Sequence, residues 1–144
     1  MEHFFLSASE QEQILEAIRQ AELATSGEIR VHIEGKSLEP DVIERAKEVF
    51  AELGMNRTEL KNGVLFYLAY EDRKFAVIGD KGINECVPAD FWNSTRDLMR
   101  SHFAKQEFAL GLSKGIEKAG QQLKTYFPRQ DDDVNELSDD ISFG

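Results

Sequence analysis

Three carboxylates crowd one short stretch. Asp80 and Glu85 lie in the glycine-rich segment Gly79-Asp80-Lys81-Gly82-Ile83-Asn84-Glu85, and Asp90 follows shortly after. Carboxylates within reach of one another suit hard divalent cations, Ca²⁺ or Mg²⁺, which prefer shells of oxygen. A phosphate-binding loop is excluded, because its lysine must be followed by Ser or Thr and Lys81 is followed by Gly82. Two readings of the segment then stand side by side. It is a glycine turn needing positive φ, or a turn that brings Asp80 and Glu85 together with Asp90 beyond.

Other chemistries find less support. His3, His32 and His102 lie far apart and show no spacing for zinc. Cys86 has no second thiol, so no intrachain disulfide forms, and a small buried thiol in a reducing cytoplasm is the expectation. No Gly-x-Ser-x-Gly elbow is present for acyl transfer. Asp131, Asp133 and Asn135 copy the start of an EF-hand loop. Glu136 and Ser142, however, stand where glycine and a bidentate glutamate are required.

The elements that must position the acidic groups follow from periodicity. Ser7 and Glu10, or Ser9 and Glu12, have capping-box spacing ahead of Ile14, Leu15, Ile18 and Ala21, which predicts a helix over 9–24. From Glu28 the pattern alternates, Ile29, Val31 and Ile33 against Arg30, His32 and Glu34. This is a strand with one packed and one more polar face. Asp41 caps a second helix, with Val42, Ala46, Val49 and Leu53 as its buried stripe and Gly54 at its end. The apolar run Val64 to Tyr70 predicts a central strand covered on both faces. Glu71-Asp72-Arg73-Lys74 turns it into a hairpin with Phe75 to Ile78. Pro88 and Asp90 open a third helix carrying Phe91, Trp92, Thr95, Leu98, Met99 and Phe103. A last helix runs from Phe108 to Phe127, where Pro128 stops it.

The expected fold is therefore α/β: a small mixed sheet, built from a parallel crossover pair and an antiparallel hairpin strand, sandwiched by about four helices. That topology places the start of the first strand (Glu28), the start of the second (Asn62) and the end of the third (Asp80) on one edge. With Glu85 and Asp90 added, up to four carboxylates and an amide oxygen are expected to converge there. The opposite edge offers Glu34, Asp41, Glu71, Asp72 and Glu107 as a second, weaker candidate.

Charge narrows the partners. The net charge is −10, and six of the 27 acids lie after Arg129 with no base among them. This divides the chain into a domain over 1–129 and an acidic tail over 130–144. The remaining 21 acids face 17 bases, so no basic footprint exists for nucleic acid. An acidic body repels anionic lipid and attracts cations. No apolar run reaches the ~20 residues of a membrane span, and the start lacks the basic region of a signal peptide. The tail ends in Ile141-Ser142-Phe143-Gly144, whose apolar residues can dock on the body.

Taken in order, Thr25-Ser26-Gly27-Glu28-Ile29-Arg30-Val31, Asn62-Gly63-Val64-Leu65, Glu71-Asp72-Arg73-Lys74, Gly79-Asp80-Lys81-Gly82-Ile83, Val87-Pro88-Ala89-Asp90 and Glu107-Phe108-Ala109-Leu110-Gly111-Leu112 resemble the TPM domain family. The resemblance covers about residues 9–127 and is nearest the short, stand-alone bacterial type. It implies an α/β sandwich, a phosphatase label, divalent-cation binding in some members and roles in assembling or repairing membrane complexes in others. Asp72, Arg73, Gly82 and Asp90 are the positions it carries over. Asp80 inherits nothing from it, since many relatives hold a different residue there.

Two functions compete on this sequence. One is a cation-stabilised interaction module with a protein partner. The alternative is a metal-dependent phosphomonoesterase, in which a cation on Asp80, Glu85 and Asp90 activates water while Lys81 or Arg73 offsets charge. The residues display cation ligands more clearly than a nucleophile, which favours the module.

Overall fold

In the computed structural model, the described residues are 5–129 and 141–144. The acidic run 131–140, with its EF-hand-like start, lies outside them. The described residues form an α/β fold with five helices and a four-stranded mixed sheet, divided between two compact units. None of these helices is long and apolar enough to cross a membrane.

The unit formed by 27–89 and 141–144 holds the sheet. Its strands are β1 (Glu28–Glu34), β2 (Gly63–Ala69), β3 (Lys74–Gly79) and β4 (Ile141–Phe143), in the order β3-β2-β1-β4. β1 and β2 run parallel through the helix α2 (Val42–Glu52), and β2 and β3 form the antiparallel hairpin. Arg73 takes the left-handed conformation (φ 55°) at the hairpin turn. Asp41 caps α2 as its type predicts, accepting from the Ile43 N–H at 2.9 Å, and Gly54 leaves it at φ +69°. Ala46, Val49 and Phe50 of α2 then pack on Leu65, Tyr67 and Ala69 of β2 and Ala76 of β3. Every residue of β2 is buried, as its unbroken apolar run requires.

Several local features depart from the sequence expectation. The alternation in β1 predicts a half-polar strand, yet His32 is only 6% exposed and Glu34 4%. Both are satisfied by protein groups rather than water, because β4 pairs along β1 and α2 supplies a partner. The glycine segment after β3 is not a positive-φ turn but a short helix, α3 (Lys81–Cys86), capped by Asp80. Its glycine serves close approach instead. A Cβ on Gly82 would run into the backbone carbonyls of Leu60 and Lys61. Cys86, expected to be buried, is exposed at the end of this helix.

The other unit, 5–26 with 90–129, consists of α1 (Ala8–Ala24), α4 (Asn93–Phe103) and α5 (Phe108–Leu123). Ser7 and Glu10 form the reciprocal capping box that their spacing predicts. Gly120 of α5 lies against Ala21 of α1, where an added Cβ would stand 2.8 Å from the Ala21 Cβ. α4 begins at Asn93 rather than near Pro88. The Phe91 and Trp92 rings pack edge to face at 4.8 Å just before it, which commits these residues to the core before the helix starts.

Candidate functional site

The edge where β1 and β2 begin and β3 ends is assembled by the backbone. Glu28 lies opposite Gly63 in register, and its N–H donates to the Asn62 carbonyl at 3.1 Å. The Asp80 N–H donates to the Gly63 carbonyl at 2.8 Å. The crossover and hairpin thus place Glu28, Asn62 and Asp80 side by side, as their strand positions predict. Glu28 is buried and Asp80 half-buried.

The two oxygens of Asp80 differ. Oδ1 accepts from the Lys81 N–H at 2.7 Å and so caps α3. Oδ2 is buried and has no hydrogen-bond partner among the described residues. An acceptor oxygen withdrawn from water without a partner is unfavourable unless a cation or donor reaches it. Glu85 sits further along α3 and is exposed. Asp90 belongs to the helical unit, exposed in a turn where its carbonyl accepts from the Asn93 N–H at 3.0 Å. Among the described residues, no group of three or more His, Cys, Asp or Glu side chains is placed to hold a metal ion. A shell built wholly from side chains therefore does not fit.

The opposite end of the sheet carries a denser polar cluster. Glu34 accepts from Arg45 Nε and Nη2 at 2.8 and 2.9 Å, from His32 Nε2 at 3.2 Å and from the Tyr67 hydroxyl. Four donors saturate its two oxygens. Burial pushes the carboxyl towards higher pKa, but the bonds from Arg45, Tyr67 and His32 outweigh it and bring the value down to about 2. Burial, followed by the bond to Glu34, raises the Tyr67 phenol. Burial lowers the pKa of His32 against the pull of Glu34. The neutral ring therefore carries its proton on Nε2 facing the carboxylate, and Nδ1 accepts from the Ser142 hydroxyl at 2.7 Å.

The remaining candidates are used locally. Asp72 accepts from the Ser37 N–H at 2.7 Å and ties the hairpin turn to the loop after β1. Exposed Arg73 makes the turn itself. Glu107 lies in the helical unit, where its carboxylate meets His102 Nδ1 at 2.8 Å ahead of α5. Arg45, Tyr67 and Ser142 did not emerge from the sequence as site residues. A signal for Arg45 exists, since it falls between Val42 and Val49 on the buried side of α2 and needs an acidic partner there.

Comparison with known proteins agrees with this architecture. Residues 2–122 match the family model of the TPM domain. The NMR structure of the BA42 protein from the psychrophilic bacterium Bizionia argentinensis is 51% identical, with a TM-score of 0.92 over 100% of this chain and 98% of that one. The fold alone is shared with two further NMR structures. The N-terminal domain of a protein from P. gingivalis is 21% identical, with a TM-score of 0.70 over 85% of this chain and 79% of that one. The N-terminal domain of cg2496 from Corynebacterium glutamicum is 12% identical, with a TM-score of 0.62 over 94% and 79%. None of the curated proteins matches the chain.

Proposed function

The chain belongs to the TPM domain family, and from that premise we propose that it is a divalent-cation-responsive interaction module rather than a hydrolase. The cation, Mg²⁺ or Ca²⁺, is taken at the edge where Glu28, Asn62 and Asp80 meet, and the partner is a protein. The observation that carries this reading is the buried, unpartnered Oδ2 of Asp80. A cation on that oxygen removes the penalty of a buried acceptor left without a partner and holds the start of α3 against the sheet. Glu28 adds a second negative group at the same edge. Glu85 and Asp90 have no part in the minimal site. The acidic balance of the chain, −10 overall, favours cations and disfavours nucleic acid and anionic lipid as partners.

Thermal melts in EDTA, Mg²⁺ and Ca²⁺ test the reading, with a generic phosphomonoester assayed in parallel. The expected result is a cation-dependent rise in melting temperature, absent in Asp80→Asn and unaccompanied by turnover. No rise with either cation sinks the proposal. Cation-dependent turnover that Asp80→Asn abolishes would establish the phosphatase instead.

A further inference from the structure

The short strand β4 lies along the outer edge of β1, with Ile141, Ser142 and Phe143 opposite Val31, His32 and Ile33. It is three residues long and has one buried apolar side chain, Ile141. Four features of its seat are specific. The Gly144 N–H donates to the Ile33 carbonyl at 3.0 Å. The Ser142 hydroxyl stands 2.7 Å from His32 Nδ1 and 3.3 Å from the Val31 carbonyl. A Cβ on Gly144 would lie 2.5 Å from Glu34 Oε1 and 2.9 Å from His32 Nε2. Finally, Glu34 is fixed by Arg45 of α2 and Tyr67 of β2, neither of which belongs to the strand being seated.

We propose that the edge of β1 at Val31–Glu34 is a peptide-accepting slot, filled here in cis by residues 141–144, in which His32 and Glu34 select a hydroxyl residue followed two positions later by glycine. Addition of an extended segment to a sheet edge derives affinity from main-chain hydrogen bonds and specificity from the side-chain seats. Both parts are present. The main-chain groups of β1 are offered along an edge, and the hydroxyl seat is His32 Nδ1. The glycine requirement comes from Glu34, whose carboxylate cannot swing aside because four donors hold it. The slot is thus preorganised by α2 and β2. It lies at the end of the sheet opposite Asp80 and does not depend on the cation reading.

The full chain carrying Gly144→Val tests the slot. The added side chain ejects residues 141–144, so amide exchange rises at Gly144's neighbours in β4 while β2 and β3 stay protected. A fluorescent synthetic peptide of residues 137–144 then binds this variant. It does not bind the wild-type chain at micromolar concentration, because the tethered segment competes at an effective concentration of roughly millimolar. The same peptide carrying Ser142→Ala binds roughly tenfold more weakly, the loss expected for one hydrogen bond in a buried seat. Continued protection of β4 in Gly144→Val overturns the proposal. So does failure of the opened variant to bind the peptide, or equal binding of the Ser142→Ala peptide. A wild-type chain that sediments as a dimer with exchanged β4 strands would overturn the assignment of the occupant to cis.

Discussion

Arg45 of α2 donates two parallel hydrogen bonds, at 2.8 and 2.9 Å, to the two oxygens of Glu34 on β1, and both side chains are buried. This pair ties the crossover helix to the strand that precedes it. A buried pair is strongly destabilised when one partner is removed, because the other charge stays behind. Arg45→Met is expected to cost about 3–5 kcal/mol in urea unfolding. The double variant Arg45→Met with Glu34→Leu, which removes both charges, recovers most of that loss. A single variant no worse than the double would show that the pair is not acting as a buried charge pair.

Acid should act on the same cluster in two windows. The folded pKa of Glu34 is depressed to about 2 from 4.5, so its stabilisation is present above 4.5 and is lost as pH falls towards 2. The integrated effect is on the order of 3 kcal/mol. The folded pKa of His32 is also depressed below 6.5, first by burial. Its contribution is therefore present above 6.5 and declines as pH falls below it. Denaturant midpoints measured from pH 8 to 2.5 are expected to fall first below 6.5 and again below 4.5. Replacing His32 with Gln removes the first fall and keeps the second.

Arg45 also bears on the histidine itself, since its charge helps hold the His32 pKa down. In Arg45→Met that opposition disappears while the attraction of Glu34 remains. The His32 ring then titrates at higher pH than in the wild type, which NMR of the ring carbons reads directly. An unchanged titration would mean that the charge of Arg45 does not act on the histidine.

Local rules were enough for much of this fold. The Ser7–Glu10 capping box, the Asp41 cap, the Gly54 exit and the fully buried β2 each follow from residues within a few positions of one another. The meeting of Glu28, Asn62 and Asp80 was also legible, because it needs only the strand order and directions. Three things were not. Gly82 looks like a turn glycine until the backbone of Leu60 and Lys61 is seen against it. Asp90 suits a helix start, but the packing of Phe91 and Trp92 delays α4 to Asn93. The seat of Ser142 on His32 joins residues 110 positions apart, and no local pattern announces it.

Gly120 offers a test of close packing in the helical unit. Alanine there would gain about 1 kcal/mol of helix propensity. Its Cβ, however, would stand 2.8 Å from the Ala21 Cβ and 2.9 Å from the Ala21 Cα, so the backbone as well as the side chain must move. Overpacking of this kind costs about 1–3 kcal/mol. Gly120→Ala is expected to melt lower than the wild type, and adding Ala21→Gly should recover only part of the loss, because the Ala21 backbone still crowds the site. A rise in melting temperature for Gly120→Ala would show that α1 and α5 separate freely at this point.

Asp80 has two tasks that substitution can separate. Its Oδ1 caps α3, while its Oδ2 is the buried oxygen assigned to a cation. Asparagine keeps the cap and removes the charge, whereas alanine removes both, and loss of a cap costs typically ~1 kcal/mol. In EDTA the buried Oδ2 of the aspartate has no partner among the described residues, so Asp80→Asn should be at least as stable as the wild type and Asp80→Ala less stable than either. Saturating Mg²⁺ or Ca²⁺ should lift the wild type alone, placing it above Asp80→Asn while the two variants keep their order. The diagnostic outcome is this inversion between wild type and asparagine. A fixed order in both buffers would leave Asp80 as a helix cap and nothing more.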